Sequence, residues 1–451
     1  MQGEPTEAAA GPDVIDRLAA ALASGREALP LVRVAGPIQE VTATAARVGG
    51  VAPFLKLGDR MGFRVGGREQ VGEVVRIDAG GVTLKPFEAR IEAGIGTPAY
   101  RLGDPTLRPH AGWKGRVIDA LGRPIDGRGT LVPGPRAVPI DAAPPPAMAR
   151  GRVEAPLRTG VRALDLFTPL CLGQRIGIFA GSGVGKSTLL AMLAGATGFD
   201  SVVVALVGER GREVREFLEG PMAGNLDKAV VVVSTGDESP MMRRQAPKVA
   251  MAIAEAFRDT GNSVLLIVDS VTRYAHAARD VALAAGEPAV ARGYPPSVFS
   301  DLPRLLERAG PGRDGSGSIT GIFSVLVDGD DHNDPVADSI RGTLDGHVVL
   351  DRAIAEQGRY PAVDLLSSIS RLATAVWTPE QRELVRRLKA MMARFEETRD
   401  LRLMGGYRAG EDAELDQAIL LVPRIYEALR QEPGMAPSAD AFLEHAQSLR
   451  S

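Results

Sequence analysis

The sequence predicts an α/β fold in three parts: a small N-terminal β-barrel, a central, mostly parallel sheet with flanking helices, and a C-terminal helical domain. Three observations carry this prediction. Between residues 151 and 375, the near-continuous apolar runs IGIF, SVVVALVG, AVVVVS, SVLLIVD and ITGIFSVLV alternate with helix-type segments. Strands buried on both faces of a parallel sheet have this texture. Upstream, the short pieces LVRVAG, IQEVTATAARV, MGFRV, VGEVVRI and VTLKPF are interrupted by Gly, Pro or Asp. Their spacing of roughly eight to twelve residues is that of a small closed sheet. From Pro379 the pattern turns helical, in RELVRRLKAMMARFEETRDL and then ELDQAILLVPRIYEALRQ.

In chain order, residues 1–29 read as a flexible segment with a candidate partner-binding helix. Residues 1–11 are small and polar, and DVIDRLAAALAS then sets Val14, Ile15, Leu18 and Leu22 near helical spacing. That helix either packs on its own domain or docks a partner. The barrel spans 30–98. Residues 99–150, rich in Pro and Gly and ending near APPPA, read as a connector. The sheet domain spans 151–375 and the helical domain 376–451.

Composition narrows the function classes. The chain has 451 residues, 45% of them hydrophobic and 24% charged, and a net charge of −3, as in a soluble cytoplasmic protein. No apolar run approaches the roughly 20 residues of a membrane span, and the opening residues lack the order of a secretory signal. A single cysteine, Cys171, excludes an internal disulfide. Near-neutral charge and 4% aromatic residues give no argument for nucleic-acid binding.

The strongest motif is AGSGVGKST at 180–188, between the strand-like RIGIF and the helix-like LLAMLAG. A loop of this kind (Ala180, Gly181, Ser182, Gly183, Val184, Gly185, Lys186, Ser187, Thr188) turns backbone N–H groups toward one point at a helix N-terminus, where phosphate binds. Lys186 then reaches the β and γ phosphates of ATP, and Ser187 offers an oxygen to Mg²⁺. The pattern usually opens with Gly. Ala180 is also small, so the match stands.

SVLLIVDS sets Asp269 at a strand's carboxyl end, where it can hold a Mg²⁺-bound water beside the phosphate loop. In VGERGREVREF, Glu209 follows a third apolar run and should emerge on the same sheet edge. There it either polarises the attacking water or belongs to a solvated cluster with Arg210, Arg212 and Glu213.

Several stretches together resemble one family: GERGRE, VDSVTRYAHAARD, GEPAVARGYPPSVF, VDGDDHNDPVADSIRGTLDGHVVLDR and YPAVDLLSSISR. They are similar to the hexameric ATPases related to rotary ATP synthase catalytic subunits, with a RecA/F1-like P-loop domain. Within that group, GERGREV, AGSGVGKS and the GDD-x-x-DP-x-ADS pattern resemble the flagellum-specific ATPase of the type III protein-export apparatus, with similarity over roughly residues 30–430. The resemblance implies Glu209 as general base, Lys186 and Ser187 as phosphate and Mg²⁺ contacts, and Asp269 as the second metal-shell carboxylate. It implies Arg210 near the γ-phosphate, and Arg371, in SSISR, as the arginine reaching into a neighbouring subunit's site. Such a finger is worth about 10³–10⁵ in rate. Because Glu209 and Arg371 share one chain, a catalytic homohexamer is implied.

The implied partners are a stator-like regulatory dimer on the N-terminal helix, a stalk protein in the central pore, the export gate, export chaperones and flagellar substrates. The protein would be cytoplasmic, associating with the inner membrane peripherally through partners. Where relatives carry an aromatic near the adenine, this chain has Arg382, and Trp377 is either a substitute or packing. LLERAGPG at 305–312 resembles the pore-facing segment, or is simply a helix end capped by Gly310. DGDDHND at 328–334 reads as a loop near the catalytic face, and the five histidines have no metal-ligand spacing. The alternatives are an injectisome ATPase, a proton-driven synthase subunit and a Rho-like nucleic-acid translocase, the last needing stacking aromatics beyond Phe54, Phe63 and Phe87.

Overall fold

A computed structural model describes residues 33–153, 155–313, 315–327 and 334–432. The expected N-terminal docking helix and residues 328–333 of the DGDDHND loop lie outside the described residues. The chain divides into two compact units. One is the barrel, and the other comprises Phe87–Ala89 and everything from Asp104 onward.

The barrel closes six antiparallel strands, Ala35–Val41, Ala46–Val48, Arg60–Val65, Arg68–Asp78, Gly81–Pro86 and Pro98–Gly103, with the first and last paired. Alternation fills its interior. Val82 and Leu84 are fully buried, with half-buried Thr83 between them, and Met61 and Phe63 bury across Gly62. Gly66 and Gly67, both at positive φ, make the two-residue turn between Val65 and Arg68, a conformation that fits the twist of paired strands. The last strand runs past residue 98 to Gly103, because its pairing with Arg60–Val65 closes the barrel.

The larger unit is built on a nine-stranded sheet. Its order from one edge is Val363–Ser370, Gly346–Leu350, Arg175–Ala180, Ser318–Leu326, Ser263–Asp269, Ser201–Glu209, Ala229–Thr235 and Val117–Asp119. All neighbours in this path are parallel except the first pair, and the short Gly310–Pro311 strand adds antiparallel to Ser318–Leu326. The apolar runs of the sequence are these strands. Val202, Val203, Val204 and Ala205 are all fully buried, since helices cover both faces.

Side chains alternate between the two faces. Val202, Val204 and Leu206 join one large cluster with Leu189 and Leu190 of the helix Lys186–Ala194. Val385 and Met392 of Pro379–Glu397, and Leu415 and Val422 of Ala413–Leu429, belong to the same cluster. The C-terminal helices thus share a core with the sheet. Val203, Ala205 and Val207 face the other way, toward the helix Pro240–Asp259. Within the connector, Val117–Asp119 adds parallel to Val231–Val233 as the edge strand.

Register fixes where chemistry can occur. Ala180 pairs with Leu326 and Leu206 with Asp269, so Ala180, Glu209 and Asp269 end at one carboxyl edge, where parallel sheets place their ligands.

Candidate active site

The phosphate loop follows the strand Arg175–Ala180 and opens the helix Lys186–Ala194. Gly183 and Gly185 have φ of 80° and 87°, a region costly for side-chain-bearing residues. Buried Val184 anchors the loop to the core, while Ser182, Gly183 and Ser187 stay exposed. A Cβ on Gly185 would lie 3.4 Å from the Tyr360 ring, so that ring stands beside the start of the helix.

Lys186 leaves the loop and forms an ion pair with Asp269, whose carboxylate also accepts a 2.6 Å hydrogen bond from the buried hydroxyl of Ser324. Lys186 Nζ is 3.9 Å from a Glu209 carboxylate oxygen. Carboxylates from two strands therefore converge on one ammonium group.

Glu209 does not end a regular ladder. Gly208, at φ 70°, breaks the register with Ala229–Thr235, so that Val207 pairs with Ser234 but Glu209 with Thr235. Arg273 clamps this bulge. Its guanidinium donates to the Gly208 carbonyl and lies 2.9 Å from Glu209 Oε2. Burial pushes the Glu209 carboxyl above the usual glutamate range, helped by the negative charge of Asp269 and opposed by Lys186 and Arg273. Glu213, one turn into the helix Gly211–Glu219, shares a hydrogen bond with Glu209 and is held below its ordinary value by it. A cavity of about 230 Å³ lies between these groups, lined by Ser187, Glu209, Glu213, Phe217 and Asp269 among others.

The structure brings Lys186, Ser187, Glu209 and Asp269 together. Arg210 sits at the rim, largely exposed, with Glu213 as its nearest carboxylate at 3.7 Å. Arg371 is elsewhere. It follows the antiparallel edge strand, where Ser370 pairs with Gly346, and its N–H donates to the Asp345 carbonyl level with Arg175. Arg175 and Ala180 bound one strand, so at about 3.3 Å per residue Arg371 lies about 17 Å from the phosphate loop along the sheet. Its guanidinium is exposed and donates to the Arg341 carbonyl at 3.5 Å.

Sequence reasoning passed over two residues. Arg273 lies one turn into the helix that Ser270 caps directly after Asp269, and that position on a helix leaving the catalytic edge was the available signal. Tyr360, 45% exposed beside Gly185, had no periodic signal at all. Of the adenine candidates, exposed Arg382 donates to the Thr374 carbonyl at 3.3 Å, and Trp377 packs against the main core. At 305–312 the helix Pro296–Leu306 is capped by Glu307 rather than Gly310, which begins a short strand. Glu307 pairs with Arg150 and Arg175, while Arg308, 1% exposed, pairs with Glu255. Among the described residues no group of three or more His, Cys, Asp or Glu could hold a metal by themselves.

Residues 160–370 match the ATP synthase alpha/beta family, nucleotide-binding domain, and residues 377–447 match the T3SS EscN ATPase C-terminal domain. The chain is 58% identical to the flagellum-specific ATP synthase of Rhizobium meliloti, over 92% of this chain and 89% of that protein. It is 46% identical to the SPI-2 type 3 secretion system ATPase of Salmonella typhimurium, over 91% and 93%. The assembled ATPase EscN, solved in complex with its central stalk EscO from the enteropathogenic E. coli type III secretion system, superposes with a TM-score of 0.83 at 40% identity. That match covers 92% of this chain and all of EscN. The barrel, the phosphate loop and these similarities together make the chain a member of the ATP synthase alpha/beta family, on the branch shared by flagellum-specific ATP synthases and type III secretion ATPases.

Proposed function

We propose that this chain is the ATP-hydrolysing subunit of a homohexameric ring that serves flagellar type III protein export. The observation that carries the reading is the split of the catalytic set across the sheet. Lys186, Ser187, Glu209 and Asp269 meet at the carboxyl edge, while Arg371 stands at the opposite edge with its guanidinium exposed. A head-to-tail ring of identical chains joins those two edges at every interface.

In this mechanism the backbone N–H groups of the loop hold the phosphates of ATP, and Lys186 exchanges Asp269 for phosphate oxygens. Glu209, whose raised affinity for protons suits a base, accepts the proton of a water that attacks the γ-phosphorus. The bond to the bridging oxygen breaks, giving ADP and phosphate. Arg371 of the neighbouring copy stabilises the charge that develops on the transferred group. Mg²⁺ fits this site because it needs few protein ligands beside phosphate and water. The Ser187 hydroxyl and the Asp269 carboxylate would hold it, and it supplies neutralisation of phosphate charge. The Tyr360 ring offers a face for the nucleotide base.

Within this reading the 30–98 barrel, the 151–375 ATPase domain and the 376–451 helical domain act as separate functional parts. A stalk like the one bound to EscN occupies the pore, and a stator-like dimer, the export gate and chaperone-bound flagellar subunits supply the remaining contacts. Attachment to the membrane is peripheral. Among the described residues no helix is long and apolar enough to cross one. Identity of 58% to a flagellar relative against 46% to an injectisome one favours flagellar export. A Rho-like translocase is disfavoured because Phe63 and Phe87 are buried and only Phe54 of the three is available for stacking.

The test is phosphate release and export together. Glu209→Gln should bind ATP but hydrolyse it about 10²–10⁴-fold more slowly. A strain carrying it should secrete less of the flagellar filament protein. Hydrolysis by the wild type no faster than by Glu209→Gln would sink the proposal.

A further inference from the structure

Gln431 lies two residues beyond the end of the helix Ala413–Leu429, yet it is only 5% exposed. Its side-chain carbonyl accepts from the Arg162 backbone N–H at 3.0 Å, and its side-chain amide donates to the Gly160 carbonyl at 2.7 Å. Its own backbone N–H donates to the Tyr360 carbonyl at 2.9 Å. Only one orientation of the amide satisfies both side-chain bonds, so the residue is fixed in rotation as well as in place. Three segments far apart in sequence meet on this one buried glutamine.

Other contacts reinforce the junction. The Arg162 guanidinium donates to the carbonyls of Ala428 and Arg430 at the end of the same helix. Arg359 lies 3.8 Å from the Tyr426 ring, and the Tyr426 hydroxyl donates to Glu396 at 2.8 Å. The segment carrying Tyr360 is therefore tied to both C-terminal helices. Its backbone is held, while its ring is turned outward beside Gly185.

We propose that Gln431 is a positioning residue for nucleotide binding: it sets the height of the Tyr360 ring over the phosphate loop, and so tunes affinity for the base-bearing part of the nucleotide but not for its phosphates. The inference rests on the reading of residues 180–188 as an ATP site. Its physical basis is the stiffness of a buried amide that is hydrogen-bonded at both its oxygen and its nitrogen. Deleting the amide leaves the Gly160 carbonyl and the Arg162 N–H unpaired, and the backbone N–H that holds the Tyr360 carbonyl is then no longer fixed in place by its own side chain.

The experiment compares binding of ADP and of pyrophosphate, each with Mg²⁺, to the full-length protein by calorimetry. Gln431→Met keeps the side-chain length and removes both polar groups. It should weaken ADP binding about tenfold, within the range of base–aromatic stacking, and change pyrophosphate binding less than about twofold. In turnover, KM for ATP should rise with kcat nearly unchanged. Tyr360→Ala should show the same selective loss, and the double variant should lose little more than either alone.

Equal losses for both ligands would assign Gln431 a merely structural role and overturn the proposal, as would additive losses in the double variant. An ADP-selective loss in Tyr360→Ala without one in Gln431→Met would overturn this inference and leave the ATP site standing. Failure of the wild type to bind either ligand would overturn both. If Gln431→Met does not fold, Gln431→Glu keeps the acceptor for Arg162 and loses the Gly160 bond. An unchanged ADP-to-pyrophosphate ratio in that variant would likewise overturn the proposal.

Discussion

The separation of Arg371 from its own phosphate loop makes a quantitative prediction for mixed assemblies. In the proposed ring, Arg371→Ala removes a charge donated across the interface, and such fingers contribute about 10³–10⁵ in rate. That range corresponds to about 4–7 kcal/mol of transition-state stabilisation. Glu209→Gln removes the proposed base and should be nearly inactive for a different reason. About 17 Å of sheet lies between Arg371 and the loop of the same chain, so neither variant can repair itself. When the two are mixed in equal amounts and assembled at random, an interface works only if a chain with intact Glu209 meets a neighbour with intact Arg371. That arrangement holds at about one interface in four of a head-to-tail ring. Phosphate release, followed by a coupled assay under ring-forming conditions, should recover to about a quarter of the wild-type rate if the sites fire independently. Native mass measurement must show mixed rings. Mixed rings that stay as inactive as either parent would refute action in trans and place the function of Arg371 within its own chain.

Three further outcomes are expected. The acid limb of kcat/KM should lie above the ordinary glutamate range, because Glu209 must be deprotonated to act and burial raises its pKa. Arg273→Met removes a cation that lowers that pKa, so the limb should move to higher pH, and a pH profile that moves the other way would contradict the assignment. Arg308→Met should cost about 3–5 kcal/mol in urea unfolding by stranding buried Glu255, whereas Arg308→Met with Glu255→Leu should restore most of it. Gly185→Ala forces an alanine to a φ of 87°, at about 1–2 kcal/mol, and should weaken ATP binding roughly tenfold in a fluorescence titration.

Local signals made much of this molecule legible in its sequence. The five apolar runs are sheet strands because a strand covered on both faces has no polar phase to hide it. The phosphate loop, Glu209 and Asp269 were legible because each follows such a run, and parallel strands deliver their ends to one edge. What escaped depends on partners distant along the chain. Val117–Asp119 is a short edge strand in a Gly- and Pro-rich stretch, and its sheet partner Val231–Val233 lies more than a hundred residues away. Tyr360 and Gln431 are ordinary residues until the fold brings them together. Arg273 looked like one more charge on a helix, and only the left-handed turn at Gly208 gives it a carbonyl and a carboxylate to hold. The barrel's closing strand, Pro98–Gly103, is defined by what it pairs with, not by its own alternation.

The two-edged arrangement of Glu209 and Arg371 also has a genetic consequence. A chain that carries lesions at both positions but still assembles silences the interface on each of its sides. Co-expressed with the normal allele, it removes more turnover than its share of the subunits. In the proposed ring, alleles lesioned at both positions should therefore behave as dominant in a merodiploid cell, whereas an allele lesioned at one position removes only its share. Alleles that prevent folding, such as those stranding a buried charge, should behave as recessive.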